Sequence, residues 1–260
     1  MDPRLIIMIA GYLLGIVLTV ALGFFVWMKV KRNKLSTIFL MMNLSIAVVE
    51  FSMVLIATAQ SLGTAEIASL LNMANIFIVV FMAHWILEVI GKAQERRIPI
   101  ILIYAGGFAL FFYYIFDPSA FLFTPVPKMY LAYYFQPALW YTLMRVYFMI
   151  VAVYFLYELF HAYKQANDNI VRNRLKYVFS GILFGMLTGH IAVPLVYGIQ
   201  IDPLLSMLFP LYTIPMAYAV IHYELMDIKI VARRALFYAL TVALLSVLLG
   251  IIGFSNDILS

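Results

Sequence analysis

The chain is a series of long apolar runs separated by short polar connections. Eight of the runs have about the 20 residues that a helix needs to cross a hydrocarbon core of about 30 Å. They lie at 5–27, 36–59, 67–90, 98–116, 139–163, 176–199, 205–223 and 235–254. Because a backbone in lipid must satisfy its own hydrogen bonds, each run is predicted to form a helix. The pattern predicts an all-α, polytopic membrane helical bundle with seven core helices and an eighth C-terminal span.

The composition supports this class. Hydrophobic residues make up 66% of the 260 residues and charged residues only 11%, whereas soluble domains contain about 45–50% and about 25%. So large an apolar surface cannot be buried around one water-facing core, which excludes a soluble globular protein and makes the lipid bilayer the first partner. The chain contains no cysteine, which excludes disulfides, thiol nucleophiles and thiolate metal sites.

Lysine and arginine residues are concentrated in alternate connections. Most of the 17 lie at 28–35, 91–97, 164–176 and 224–234, whereas the intervening connections hold only Lys128. By the positive-inside rule, the basic connections face the cytoplasm and the N-terminus lies outside. The basic residues therefore indicate topology, and we expect no nucleic-acid partner.

Small residues and prolines predict how the helices pack. Small residues recur every four positions in the first helix and in the sixth, at Gly11, Gly15, Thr19 and Gly23, and at Gly181, Gly185 and Gly189. Such stripes allow two helix backbones to approach closely. Prolines within the sixth and seventh runs are predicted to kink or unwind these helices, at Pro194, Pro210 and Pro215. Carbonyls freed by such kinks tend to line cavities.

A few polar residues lie deep inside the apolar runs, where ionisable side chains are costly. At 1.5 Å per residue they share a depth of roughly 9 to 15 Å below the outer surface. The candidate pocket residues are Glu50, Asn75, Arg145, His190, Tyr212 and Thr213.

The acidic and basic members of this set predict a pocket. A lone glutamate at mid-membrane would cost about 2.5 kcal/mol or more, and Arg145 is the only basic residue deep enough to pair with Glu50. We therefore predict that Glu50 and Arg145 approach one another, with Asn75 and His190 nearby, around an outward-opening polar pocket. The alternative is a structural ion pair with hydrogen-bonded amides that fix the helices.

Other ionisable pairs lie at the inner ends of the helices. The pairs are His84 with Glu88, His161 with Glu158, and His222 with Glu224. Glu88 also lies four residues before Lys92, which is the spacing of an ordinary helix ion pair. No three or four metal ligands converge at one depth, and no catalytic or phosphate-binding motif is present. We expect no metal, no cofactor and no enzymatic activity in this chain.

The connection 117–138 is the one long loop between the runs. It combines four prolines with many aromatic residues, so a regular helix across it is not expected. Aromatic residues favour the membrane interface, which predicts an interfacial belt. The alternative is a lid over the pocket that selects an apolar or peptide-like ligand.

Between 172 and 240 the chain contains a basic R-x-R-L-x-Y-x-x-x-G segment, a mid-helix proline and glycine, and an A-Y-A-V-x-x-Y-x-L-x-D-I segment. The residues are Arg172, Arg174, Leu175, Tyr177, Gly181, Pro194, Gly198, Ala217, Tyr218, Ala219, Val220, Tyr223, Leu225, Asp227 and Ile228. His84 with Trp85 adds a histidine and an aromatic residue at the end of the third helix. In these features the chain resembles the seven-transmembrane N-terminal sensor region of bacterial histidine kinases.

The resemblance implies a membrane sensory receptor module in the bacterial cytoplasmic membrane. Such a module detects an extracellular or membrane-borne stimulus, whether small molecule, lipid or peptide, and relays a helix displacement to a cytoplasmic output. The output would be a histidine kinase of a two-component system or a similar module, in cis or in trans, and the receptor is expected to work as a homodimer. The signal output junction would be formed by Tyr223, Glu224, Asp227, Arg233 and Arg234.

On this interpretation the chain divides into a seven-helix transmembrane sensor domain at 1–234 and an additional transmembrane helix with a short tail at 235–260. The alternative function is a small ion- or proton-coupled transporter or channel that uses Glu50, Arg145 and His190, because intramembrane ionisable groups also mark such paths.

Overall fold

The computed structural model of the protein describes residues 2–29 and 33–224. They form a mostly helical protein with seven helical stretches that are long and apolar enough to cross a membrane. The seven stretches are Pro3–Lys29, Lys34–Thr58, Leu62–Val89, Arg97–Phe116, Leu139–Gln165, Asn169–Val196 and Pro203–Ile221. Each overlaps one of the first seven predicted runs. The predicted eighth span, 235–254, lies outside the described residues.

The helices follow one another in a simple order. They are α1 (Pro3–Lys29), α2 (Lys34–Thr58), α3 (Leu62–Asn72), α4 (Asn75–Val89), α5 (Arg97–Phe116), α6 (Leu139–Gln165), α7 (Asn169–His190), α8 (Val193–Val196) and α9 (Thr213–Glu224). A 3₁₀ helix, Pro203–Tyr212, leads directly into α9. Of the predicted output junction, Tyr223 and Glu224 end α9, whereas Asp227, Arg233 and Arg234 lie outside the described residues.

Three of the seven spans are interrupted. The third consists of α3 and α4 with a break at 73–74, and the sixth of α7 and α8 with a break at 191–192. Pro194 lies in the first turn of α8, where its missing N–H costs no helical hydrogen bond. The seventh span begins as the 3₁₀ helix that contains Pro210, and becomes α-helical just before Pro215. The prolines therefore accompany interrupted helices, as predicted.

The glycine stripes mark close helix contacts. A Cβ atom added at Gly15 of α1 would lie 2.5 Å from Cγ of Pro210, in the 3₁₀ helix. A Cβ atom added at Gly185 of α7 would lie 2.8 Å from Cγ of Tyr212 in the same helix. Real Cβ atoms do not approach so closely, so the absence of side chains allows the seventh span to fit between α1 and α7.

The connection 117–138 folds into a β-hairpin, which the sequence did not predict beyond the absence of a regular helix. Strand β1 (Leu122–Lys128) pairs antiparallel with strand β2 (Leu131–Pro137). Met129 adopts a positive φ of 52° in the two-residue turn, as tight hairpin turns require. The strands contact α2, α3, α6 and α8, so the hairpin packs onto one end of the bundle, which we call the hairpin end.

The opposite end, which carries the connections 90–96 and 166–168, is called the basic end. Here Glu158 of α6 accepts hydrogen bonds from Nε of Arg96 (2.7 Å) and from Nζ of Lys92 (3.4 Å). The Glu158 side chain is only 3% exposed. The hydrogen bond to Glu158 raises the pKa of the Arg96 guanidinium. The prediction that Lys92 pairs with Glu88 is wrong, because Lys92 turns toward α6 and Glu88 instead contacts His84 (3.5 Å).

We expect Glu158→Gln to lower the thermal stability of the purified protein by several degrees, because the buried acceptor for two cations loses its charge. Differential scanning fluorimetry in detergent measures this change. The matched control is Glu95→Gln, an exposed acid of the same connection, which should leave the melting temperature unchanged. Equal melting temperatures for the two variants would show that the ion cluster contributes nothing to the fold.

Candidate ligand-binding cavity

A cavity lies inside the bundle toward the hairpin end. Its walls come from α1, α2, α3, α4, α6, α7 and α8, from the 3₁₀ helix before α9, and from strand β2. Counted as the space open to the centres of water molecules, its volume is about 130 Å³. One water needs about 10–15 Å³ on this measure, so the cavity has room for a small organic molecule.

Most of the lining is apolar. Aromatic, methionine and aliphatic side chains form the larger part of the wall, including Met53, Ile78, Phe148, Met149, Phe155 and Phe209. Polar side chains are few, and include Tyr12, Glu50, Asn75, Tyr141, Arg145 and His190. An apolar wall with a few convergent polar groups is the usual composition of a small-molecule site.

Four of the six predicted pocket residues line this cavity, namely Glu50, Asn75, Arg145 and His190. The other two, Tyr212 and Thr213, are buried but are not among the residues that line this cavity. The Tyr212 ring packs against Gly185, and the Thr213 hydroxyl donates a hydrogen bond to the carbonyl of Pro210 (2.7 Å). Both residues lie at the predicted depth. At the start of the seventh span, however, their side chains contact other helical residues and do not face the cavity.

The predicted ion pair between Glu50 and Arg145 is absent. No nitrogen of Arg145 lies within 4.0 Å of a carboxyl oxygen of Glu50. Both oxygens of Glu50 are buried and accept no hydrogen bond among the described residues. The Thr19 hydroxyl lies near this carboxyl but donates its proton to the backbone carbonyl of Gly15 (2.9 Å).

Arg145 is held by aromatic residues of its own helix instead of by a carboxylate. Nη2 donates a hydrogen bond to the Tyr141 hydroxyl (2.5 Å), and the guanidinium lies over the rings of Tyr141 (4.9 Å) and Phe148 (5.5 Å). Such cation–π contacts stabilise a cation without neutralising it. Its Nε is buried and has no acceptor within the described part of the chain.

The break in the third span brings two asparagines to the cavity wall. Asn75 donates a hydrogen bond to the side-chain carbonyl of Asn72 (3.1 Å), and Asn72 donates one to the Ser52 hydroxyl of α2 (2.9 Å). Of these two asparagines, only Asn75 was predicted from the sequence as a pocket residue. The three-residue spacing of the two amides, which places them on one helix face, was the available signal.

Tyr12 and Ser206 were also missed. Their hydroxyls form a hydrogen bond (2.6 Å) that joins α1 to the 3₁₀ helix at the cavity wall. Neither residue is ionisable near neutral pH, so neither was conspicuous within an apolar run. Only the close packing of α1 against the seventh span brings them together.

The histidines occupy separate places. Nδ1 of His190 lies 2.8 Å from the carbonyl of Met186, at the end of α7 and on the cavity wall. His84 lies 3.0 Å from the Tyr104 hydroxyl, away from the cavity, and His161 contacts Gln165 (2.9 Å) at the basic end. Among residues 2–29 and 33–224, no group of three or more histidine and acidic side chains could hold a metal ion.

A single lysine fastens the hairpin over the cavity. Nζ of Lys128 donates hydrogen bonds to the carbonyls of Phe135 (2.8 Å), Leu195 (2.9 Å) and Val196 (2.6 Å). Phe135 and its neighbour Tyr134 line the cavity. Burial lowers the pKa of Lys128. These contacts favour the lid over the interfacial belt as the description of the connection 117–138.

A second group of contacts ties the hairpin to the N-terminus. The Tyr130 hydroxyl donates a hydrogen bond to Asp202 (2.7 Å), which also contacts Arg4 (3.6 Å). The Arg4 guanidinium lies 4.4 Å from the centre of the Tyr130 ring. Burial, followed by the hydrogen bond to Asp202, raises the pKa of Tyr130. The hydrogen bonds from Arg4 lower the pKa of Asp2.

No protein-family model and no curated protein matches the chain. The resemblance of 172–240 to histidine kinase sensor regions therefore stays a prediction.

Proposed function

We propose that the protein is a membrane sensory receptor module that binds a small ligand in the cavity and relays a helix displacement to a cytoplasmic signalling output. One observation carries the proposal: α7 lines the cavity near its C-terminal end and packs along the seventh span through its glycine stripe. A ligand that contacts α7 can therefore influence the helix that ends at Glu224.

The direction of the signal follows from charge. The positive-inside rule places the basic end in the cytoplasm, and the hairpin end with its cavity on the outer side. The output junction would then begin on the cytoplasmic side, at the end of α9. The resemblance of 172–240 supports a bacterial cytoplasmic membrane, a homodimer, and a kinase or similar output in cis or in trans. No reaction is assigned to this chain.

The interruptions in the spans are the points at which helix segments can reorient. The breaks at 73–74 and 191–192 adjoin cavity residues, and the seventh span changes from 3₁₀ to α-helix at Thr213. Each break divides a span into two rigid pieces that can reorient with small backbone changes. A ligand drives such a change only if it binds one arrangement more tightly than the other.

To test this relay, we use Ala152→Leu, because Ala152 lies buried on α6 at the cavity wall. The larger leucine side chain fills part of the cavity permanently, as a bound ligand would. Spin labels are attached at Asn173→Cys, near the basic end of α7, and at Gln94→Cys in the connection before α5. The chain has no cysteine of its own. We expect Ala152→Leu to change the label distance by about 1–2 Å, the usual size of a signalling helix shift, measured by pulsed electron paramagnetic resonance.

The matched control is Ala10→Leu, which adds the same side chain at an exposed position of α1. It should leave the label distance unchanged. An equal distance in all three proteins would contradict the relay.

Transport is the second candidate function, and one observation favours it: the Glu50 carboxyl is buried near the middle of α2 without a partner among the described residues. Intramembrane carboxyls of this kind occur in proton paths. Proton and potassium flux in proteoliposomes separates the two functions. Flux far above that of protein-free vesicles, abolished by Glu50→Gln, would establish transport in place of reception.

A further inference from the structure

Two groups of opposite charge type line the cavity, and each lacks a partner of opposite charge. The two oxygens of Glu50 and Nε of Arg145 are buried without hydrogen bonds among the described residues. No nitrogen of Arg145 lies within 4.0 Å of a carboxyl oxygen of Glu50, so the two groups do not pair with each other. Buried charges without partners are costly, and functional sites are where such groups are retained.

The surroundings of each group match a different end of a ligand. Arg145 presents N–H donors beside aromatic rings, which suits a carboxylate that lies in the plane of the guanidinium. When it is ionised, the Glu50 carboxylate has two acceptor oxygens and no donor, which suits an ammonium. Most of the remaining wall is apolar and includes Met53, Phe148 and Phe155.

We propose that the cavity binds a zwitterion with an apolar body, such as an apolar amino acid, with its carboxylate on Arg145 and its ammonium on Glu50. The proposal rests on the proposed function, in which this cavity is the ligand site. A ligand with a carboxylate alone would leave Glu50 without a partner, and an amine alone would leave Arg145 without one. A zwitterion satisfies both groups and adds no net charge to the cavity.

The size of the cavity agrees with this class. About 130 Å³, at about 10–15 Å³ for each water, corresponds to the non-hydrogen atoms of one apolar amino acid or a little more. The lid is consistent with the same ligand, because Tyr134 and Phe135 of the hairpin extend the apolar wall. Asn75 lies on the same wall and can orient either charged end.

The test uses the full chain in lipid nanodiscs and isothermal titration calorimetry. The probes are leucine, valine, phenylalanine and leucyl-leucine, and the one that binds most tightly is compared with two analogues. Its N-acetyl form lacks the ammonium, and its amide lacks the carboxylate. Wild-type protein should bind the zwitterion on the order of tenfold or more tightly than either analogue, because each analogue loses a hydrogen-bonded charge pair.

Two variants connect each charge to its residue. Glu50→Gln should bind the zwitterion and the N-acetyl form equally, and Arg145→Gln should bind the zwitterion and the amide equally. Retained binding of the N-acetyl form by Glu50→Gln also shows that this variant is folded. The matched controls are Ser45→Ala on α2 and Gln165→Ala on α6, which lie outside the cavity and should keep the wild-type preference.

The remaining outcomes distinguish failure of the zwitterion site from failure of the receptor function. If no probe binds saturably, or if both variants keep the wild-type preferences, the zwitterion site is overturned. Saturable binding of octanoate, octylamine or octanol alone, abolished by Ala152→Leu, would also overturn it but would leave the receptor function standing. Amino-acid binding that does not change the distance between the labels at 94 and 173 would establish the site and overturn the receptor function.

Discussion

The Gly15→Ala variant is expected to lose about 1–3 kcal/mol of stability, the usual cost of overpacking a close contact. The added methyl group would meet Cγ of Pro210 at 2.5 Å and Oε1 of Glu50 at 2.9 Å. A proline ring cannot rotate away as a long side chain can, so α1 and the seventh span must separate. The midpoint of unfolding in a titration of sodium dodecyl sulfate, in mixed micelles, measures the loss.

The control for Gly15→Ala exploits helix propensity. Alanine is favoured over glycine within helices by roughly 0.5–1 kcal/mol, so a glycine without close neighbours should gain stability from the same change. Gly63 of α3 is such a position, because a Cβ atom there would meet nothing within 4 Å. We expect Gly63→Ala to be neutral or stabilising. If Gly15→Ala shifted the midpoint in the same direction, close packing at Gly15 would be refuted.

The helices were predictable because their signal is long and repeated. Apolar runs of about 20 residues have few interpretations, and the first seven predicted runs overlap the seven observed spans. The hairpin was not predictable in the same way. Its prolines excluded a helix, but strands of seven residues with irregular register and no regular alternation of polar and apolar side chains give little periodic signal.

The sequence predicted the depth of the candidate site residues in the membrane, but not which side of each helix faces the cavity. Counting residues along each helix put Glu50, Arg145 and Tyr212 at one level, and that level is where the cavity lies. Which side of a helix faces the cavity depends on how the helices rotate against each other. Tyr212 turned toward Gly185 because the stripe of small residues on α7 leaves a groove there.

The missing ion pair shows which sequence signal was overlooked. Tyr141 and Phe148 lie four residues before and three residues after Arg145, so one helix face presents both rings to the guanidinium. Local aromatic contacts of this kind stabilise a cation in an apolar place. Depth alone pointed to Glu50 as the partner, whereas the local spacing pointed to the rings.

The Lys128→Met variant is expected to release the hairpin from α8. Methionine keeps most of the length of the side chain but cannot donate to the carbonyls of Phe135, Leu195 and Val196. Hydrogen bonds from a charged donor contribute about 1.5–3 kcal/mol each. All three bonds come from one ammonium, so this single substitution removes them together. Their loss should raise amide exchange rates in β1 and β2 on the order of tenfold or more. Hydrogen–deuterium exchange with mass spectrometry measures this.

Two comparisons make the Lys128 result specific to the lid. Lys176→Met removes an exposed lysine near the basic end and should leave exchange in the hairpin unchanged. Exchange in α2, which also lines the cavity but packs mainly against α1 and α4, should stay at its wild-type rate in Lys128→Met, because the bundle beneath the hairpin keeps its own contacts. Since Tyr134 and Phe135 line the cavity, faster opening of β2 would expose the cavity more often. Unchanged exchange in both strands would mean that side-chain packing alone holds the lid, and that Lys128 has no part in closing the cavity.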